Sequence, residues 1–209
     1  MKMLNLKIIF LSLLVSISVC NAKVIFGIGG LYMSKANIDV RDMINTSIAR
    51  DETLSYQGNG VHIMGGGLYE FENVSGLSIR GYMSFDYLKG SRYLTSLTSI
   101  GINADIGYDM FIASGFGIGL FAGAEAGVGH IKFLDNNIQS TGLFTPYANA
   151  GLRVLFLHKH SFEFFVKYPI VRESTLLKTE TIENPHTEYQ YLRNTTFAPI
   201  FGLRYVLSL

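Results

Sequence analysis

Cysteine is nearly absent from this chain. Cys20 is the only one, and it falls within a leader-like start, so the remainder has no disulfide and no thiol chemistry. No run of about 18 apolar residues occurs, which excludes a membrane-spanning helix. A charge excess of either sign is missing too. Without its first 22 residues, which take two lysines with them, the chain keeps 187 residues with 15 basic and 16 acidic side chains. That balance argues against nucleic acid, which favours a basic face. Proline is scarce, at four residues, whereas glycine reaches 22.

The start has the layout of an export signal. Lys2 and Lys7 supply positive charge, Ile8 to Val19 form a twelve-residue apolar core too short to span a bilayer, and Cys20-Asn21-Ala22 offers small residues for cleavage. The expected division is a signal peptide at 1–22 and one domain at 23–209. Lipoprotein processing at Cys20 is the alternative, and the bulk of Val19 disfavours it.

What is abundant is alternation. From Gly76 to Tyr87, one parity holds Leu77, Ile79, Met83, Phe85 and Tyr87, and the other holds Ser78, Arg80, Tyr82, Ser84 and Asp86. A β-strand sends successive side chains to opposite faces, so this segment has one apolar and one polar face. Eight such strands are predicted, near 24–34, 60–71, 76–87, 97–108, 116–128, 146–156, 161–170 and 197–209. The joins between them alternate in length. Glu72 to Ser75, Asp109 to Gly115 and Leu157 to His160 are short, whereas Lys35 to Asn59, Lys89 to Ser96, Gly129 to Thr145 and Val171 to Thr196 are mostly longer. An outer-membrane barrel has short periplasmic turns, long external loops and an even strand number. The fold class expected is therefore all-β, an eight-stranded antiparallel transmembrane β-barrel. Phe71, Phe116, Phe156 and Phe162 would form one interfacial girdle, and Tyr32, Phe85, Tyr87 and Tyr168 the other. Glycine within the strands would let a narrow barrel close and its lumen fill. A soluble β-sandwich would also alternate, with the apolar face as its core.

In the barrel, Glu70, Asp86, Asp105, Glu125 and Glu163 face inward with Arg80, Arg153, Lys167 and Arg204. Charges in so narrow a space must pair. A third-to-fourth strand register with Asp86 facing Ser99 puts Arg80 opposite Asp105; a fifth-to-sixth register with Ile131 facing Tyr147 puts Glu125 opposite Arg153. The network either packs as a plug or lines a thin ion path.

No catalytic residue, cofactor site or metal site emerges. Outward positions lack a Ser–His pairing, His186 reads as a solvated loop residue, His158 and His160 lack a third ligand, and His62 reads as a packed lumen residue. Gly65-Gly66-Gly67 lies mid-strand with no helix after it, so it is no phosphate loop. The external loops, rich in charge at Asp39, Arg41, Asp42, Arg50, Asp51 and Glu52, are the remaining candidates for ligand contact.

The stretch from His158-Lys159-His160 through Glu163 and Lys167 to Tyr168-Pro169, followed by Tyr189-Gln190-Tyr191 and a closing Phe201-Gly202-Leu203-Arg204-Tyr205, resembles the Helicobacter-type outer membrane protein family. The resemblance covers about the last 50 residues. It implies an outer-membrane barrel, with adhesins and porins among its members. In size the chain is also similar to the OmpX and OmpA membrane domains. The terminal strand, with Tyr205, Leu207 and Leu209 on one parity, resembles the signal read by the barrel-assembly machinery. The expected protein is a monomer in contact with outer-membrane lipid and lipopolysaccharide. Its expected role is structural or at the surface, touching a host or surface ligand through its loops. A small pore and a lipid A-modifying enzyme are the alternatives.

Overall fold

The structure is a computed structural model that describes residues 22–44, 47–90, 94–133, 142–157, 159–171, 173–183 and 186–209. Apart from Ala22, the expected signal peptide lies outside the described residues, and so does Cys20.

Ten strands follow one another among the described residues: β1 (Lys23–Ile44), β2 (Ser47–Glu70), β3 (Leu77–Gly90), β4 (Leu94–Ala113), β5 (Phe116–Phe133), β6 (Gly142–Phe156), β7 (His160–Pro169), β8 (Glu173–Glu183), β9 (His186–Thr196) and β10 (Ile200–Ser208). β1 to β7 pair antiparallel in chain order, and β10 lies between β7 and β1 to close the ring. The wall therefore has eight strands, β1–β7 and β10. No helix occurs among the described residues.

Burial is inside out. Along β3, buried and exposed residues alternate without a break from Ser78 to Lys89. Ile28, Ile63, Ile79, Ile100, Ile102, Leu120, Leu152, Phe164 and Leu203 are exposed on the exterior, whereas Arg80, Asp105, Glu163, Lys167 and Arg204 are each at most 3% exposed inside. A soluble sandwich would place these two sets the other way round. An apolar exterior on a closed barrel is the solution lipid demands, because closure leaves no backbone group unpaired in hydrocarbon. At the end with the short turns, Phe156, His160, Phe162 and Tyr205 form an outward aromatic cluster with ring centroids 5.4–5.9 Å apart. Tyr69 and Phe71 meet edge to face at 5.2 Å.

The long connections depart from expectation. Residues 35–44 and 47–59 are strand rather than loop: β1 and β2 run on past the barrel and pair up to Ile44 opposite Ser47. This extension is stitched by polar cross-strand pairs. The Arg41 guanidinium meets Asp51 at 2.9 Å, Thr53 Oγ1 donates to Asp39 Oδ1 at 2.6 Å, and Ser55 Oγ donates to Asn37 Oδ1 at 3.0 Å. Residues 173–183 and 186–196 likewise pair as the hairpin β8–β9, whose β9 pairs with the upper part of β1 from Ile38 to Ile44. The polar residues of these hairpins, which suggest loops, lie here on paired strands whose ladder continues beyond the barrel wall.

β1 changes partner at a bulge. Below it, Met33 pairs with Ile200 of β10; above it, Ile38 pairs with Thr195 of β9. At the handover the Ser34 N–H and hydroxyl both donate to the Pro199 carbonyl, at 3.1 and 3.2 Å. Pro199 has no N–H for the ladder, and the chain turns inward there, burying Phe197 and Ala198. The last barrel strand consequently begins at Ile200 rather than Phe197. Phe197, Ala198 and Ile200 join Leu31, Met33, Tyr56, Leu88, Leu97, Phe121, Tyr147 and Phe165 in an apolar cluster inside the lumen.

Lumen glycines make room for large neighbours. A Cβ on Gly202 would lie 2.2 Å from Phe165 Cζ, and Phe165 is 1% exposed, so its ring has nowhere to retreat. Gly202→Ala should therefore destabilise the barrel by about 1–3 kcal/mol, read as an earlier urea midpoint in detergent micelles. Adding Phe165→Leu should recover part of the loss; a double variant no better than Gly202→Ala would refute this packing account.

Candidate functional site: the lumen

The polar residues of the lumen come from seven of the eight barrel strands, and register decides which of them meet. Arg80 sits opposite Asp105 and Asp86 opposite Ser99, the expected β3–β4 register. The β5–β6 register differs from expectation: Glu125 faces Tyr147 and Gly119 faces Arg153. The two registers are six residues apart. An even slip leaves every side chain on its own face, so alternation alone could not choose between them.

The ion pairs form one chain across the interior. Lys167 Nζ lies 2.7 Å from Glu125 Oε2 and 2.5 Å from Asp86 Oδ2. The other Asp86 oxygen is 2.5 Å from His62 Nδ1, and His62 Nε2 is 3.1 Å from Arg204 Nη1. Arg204 Nε donates to Glu163 Oε2 at 2.7 Å, and Arg80 Nη1 donates to the second Glu163 oxygen at 2.6 Å. Arg80 Nε and the Tyr82 hydroxyl both donate to Asp105 Oδ2 at 2.9 Å. Opposite charges thus alternate from Glu125 to Asp105, with His62 as the only link of variable charge.

Aromatic faces cover the two guanidinium groups held by Glu163. Arg80 Cζ lies 4.1 Å from the Phe121 ring centroid, and Arg204 Cζ 4.6 Å from that of Phe165. Tyr82 flanks both, at 5.5 and 5.2 Å. A cation over a desolvated ring face gains about 2 kcal/mol or more, which offsets part of the cost of burying the charge. Beside the ion pairs, Asn149 Nδ2 donates to Asn103 Oδ1 and Asn103 Nδ2 to Ser84 Oγ, at 3.0 and 2.9 Å.

Eight of the nine expected network residues are buried in the lumen: Arg80, Asp86, Asp105, Glu125, Arg153, Glu163, Lys167 and Arg204. Glu70 is the exception. It has inward parity but ends β2 at the mouth, where its half-exposed carboxylate meets Lys23 at 2.8 Å. Arg153 meets Asp109, with Nε 2.5 Å from Oδ1, rather than Glu125. Asp109 looked like part of a turn; β4 carries on through it to Ala113. His62 is more than a packed polar residue, since it joins two ion pairs. Both partnerships were visible only in part: parity pointed His62 inward, and nothing in the spacing named its partners.

Tyr205, Leu207 and Leu209 share the outward parity of the terminal strand, and the Tyr205 hydroxyl lies 2.5 Å from His160 Nδ1. His158 lies outside the described residues, and the His186 side chain is likewise not described. Among the described residues no cluster of His, Cys, Asp and Glu has the makings of a metal site. A small opening at the periplasmic mouth is lined by Arg80, Asp109, Arg153, Lys159, Ser161 and Glu163, among others.

No family model and no curated protein matches the sequence. Among solved structures, the outer membrane protein OprG from Pseudomonas aeruginosa is similar over 90% of this chain and 96% of its own, with a TM-score of 0.51 and 9% identity. Neisserial surface protein A covers 86% of this chain and 95% of its own at 12% identity, with a TM-score of 0.36. Ail, the attachment invasion locus protein of Yersinia pestis, covers 88% and 98% at 11% identity, with a TM-score of 0.35. The likeness to OprG bears on the fold, and the other two add nothing to that argument. The closed ring and apolar exterior agree with it: the chain is an eight-stranded β-barrel of the bacterial outer membrane.

Removing one partner from a buried ion pair leaves an uncompensated charge. Arg80→Ala would strand Asp105 and one oxygen of Glu163, and should cost about 3–5 kcal/mol in urea unfolding of the refolded protein. Glu70→Ala breaks only an exposed pair, and its cost should stay under about 1 kcal/mol. Equal costs for the two variants would contradict the placement of Glu70 outside the network.

Proposed function

We propose that this protein is a monomeric outer-membrane barrel whose charge-filled lumen is closed, and that it acts structurally or by surface contact through its external strands. The observation that carries this reading is the ion-pair chain itself, with seven charged groups and one histidine joined from Glu125 to Asp105. An eight-stranded interior is just wide enough for side chains to fill, and the apolar cluster that includes Tyr56 and Phe197 packs against the charges through Phe121 and Phe165.

On this reading residues 1–22 are a signal peptide, and residues 23–209 form the barrel, inserted by the barrel-assembly machinery through Tyr205, Leu207 and Leu209. Lipid and lipopolysaccharide surround the apolar exterior. The extended β1–β2 and β8–β9 hairpins are the surface offered to a host or surface ligand. The resemblance at residues 158–171 and in the closing strand supports membership of the Helicobacter-type outer membrane protein family. We assign no catalysis and no cofactor. A lipid A-modifying activity would require an outward nucleophile and base, and mass analysis of lipid A with and without the protein decides it.

A small pore is the second reading. It is favoured by five buried lumen atoms without a protein partner, namely Arg80 Nη2, Arg204 Nη2, Asp105 Oδ1, Glu125 Oε1 and Asn149 Oδ1, a polar set suited to water. Refolded protein in a planar bilayer at neutral pH should insert silently, with insertion confirmed by a heat-dependent gel shift. Steady, salt-dependent current steps would overturn the closed lumen and establish the pore.

A further inference from the structure

His62 is fully buried, and it is the one member of the ion-pair chain whose side-chain type ordinarily titrates near neutral pH. Its two nitrogens have different neighbours: Asp86 Oδ1 lies 2.5 Å from Nδ1, and Arg204 Nη1 lies 3.1 Å from Nε2. A guanidinium has only N–H donors and keeps its charge. Nε2 must therefore accept, which fixes a neutral imidazole with its proton on Nδ1, donated to Asp86.

The contact with Arg204 reaches over an intervening strand. β1 lies between β2 and β10, and Gly29 is the register partner of both His62 and Arg204. A Cβ on Gly29 would come within 2.6 Å of Arg204 Cβ and 2.3 Å of the Leu203 carbonyl oxygen. With no side chain there, the two residues meet directly. The charged groups around the imidazole are Asp86 from β3, Lys167 from β7 on the other Asp86 oxygen, and Arg204 from β10. Glu125 lies beyond Lys167; Glu163 and the Tyr82 hydroxyl lie beyond Arg204. The Phe165 ring covers the imidazole at a centroid distance of 5.2 Å.

We infer that His62 is a proton-operated latch: a proton on Nε2 releases Arg204, splits the ion-pair chain in two and opens the lumen to ions in acid. The proton comes from the acidified solution and forms one N–H bond at Nε2; no other covalent bond changes. The imidazolium keeps its bond to Asp86, and Arg204 Nη1 is left facing an N–H. Arg204 then retains Glu163 and a long contact to the Tyr82 hydroxyl at 3.4 Å. Glu125, Lys167, Asp86 and His62 fall into one group, and Arg204, Glu163, Arg80 and Asp105 into the other. The periplasmic mouth reaches Arg80 and Glu163, so the break forms one partner away from an opening that already exists.

The inference rests on the closed lumen proposed above, and the two fail separately. Steady current at neutral pH that acid leaves unchanged overturns both. Silence at neutral pH and in acid leaves the closed lumen standing and overturns the latch. The experiment records currents from wild type and His62→Gln in planar bilayers at about pH 7.5 and about pH 5, either side of the ordinary imidazole range. Glutamine can donate to Asp86 and accept from Arg204 but gains no charge. Wild type should open on acidification, with open occupancy rising by up to about tenfold per pH unit, the limit for one proton, and His62→Gln should stay shut. Equal opening of the two proteins overturns the latch. Should the variant show no heat-dependent gel shift, ¹⁵N spectra of wild-type histidines in micelles decide instead. The expected buried ring has its proton on Nδ1 at neutral pH and gains the second proton over the range where current appears. A proton on Nε2 at neutral pH, or a titration unrelated to the current, overturns the proposal.

Discussion

Glu163 grips two guanidinium groups at once, and the rest of the lumen is arranged around that grip. One oxygen accepts from Arg80 and the other from Arg204, at 2.6 and 2.7 Å. Without the carboxylate, two buried cations would share one space with no bulk water to screen them. With it, each guanidinium still has donors to spare, which Asp105 takes from Arg80 and His62 from Arg204. The aromatic faces of Phe121 and Phe165 cover the planes the hydrogen bonds leave open. The glycines opposite, Gly202 against Phe165 and Gly29 beside Arg204, are the empty positions that allow side chains of this size into an eight-stranded barrel.

The barrel was legible in the sequence because lipid imposes a rule at every residue. Outward positions must be apolar, so period two survives through each spanning segment, and the count of eight and the inward charges follow. Where that rule stops, legibility stops too. The upper halves of β1 and β2, rich in charge, read as loop, although Asn37, Asp39 and Arg41 find Ser55, Thr53 and Asp51 directly across the hairpin. Complementary polar residues spaced two apart on either side of a turn were the overlooked signal. Strand ends misled in the same manner: Glu70 was assigned by parity to a lumen that β2 has already left, and Asp109 to a turn that β4 has not yet reached.

Partners are harder to read than faces. The β3–β4 connection is shorter than the one between β5 and β6, which leaves fewer registers open, and Arg80 opposite Asp105 could be anticipated. The longer β5–β6 connection admits registers that differ by two, four or six residues with the same inward set, and the expected Glu125–Arg153 pair lost to Glu125 with Lys167 and Arg153 with Asp109. Contacts between distant strands, such as His62 with Arg204, depend on the curvature of the closed ring and leave no trace in local spacing.

The distances along the chain between these partners bear on how the barrel comes apart. Arg80 and Glu163 are 83 residues apart, Lys167 and Asp86 are 81, and Arg204 and His62 are 142. Such contacts form only once β10 has met β1, after every hairpin is in place, so they contribute little to the early steps of assembly. Interactions absent from a folding transition state slow unfolding without hastening folding. The lumen charges accordingly act as a kinetic lock, giving a barrel that is slow to close and, once closed, slower still to open its seam.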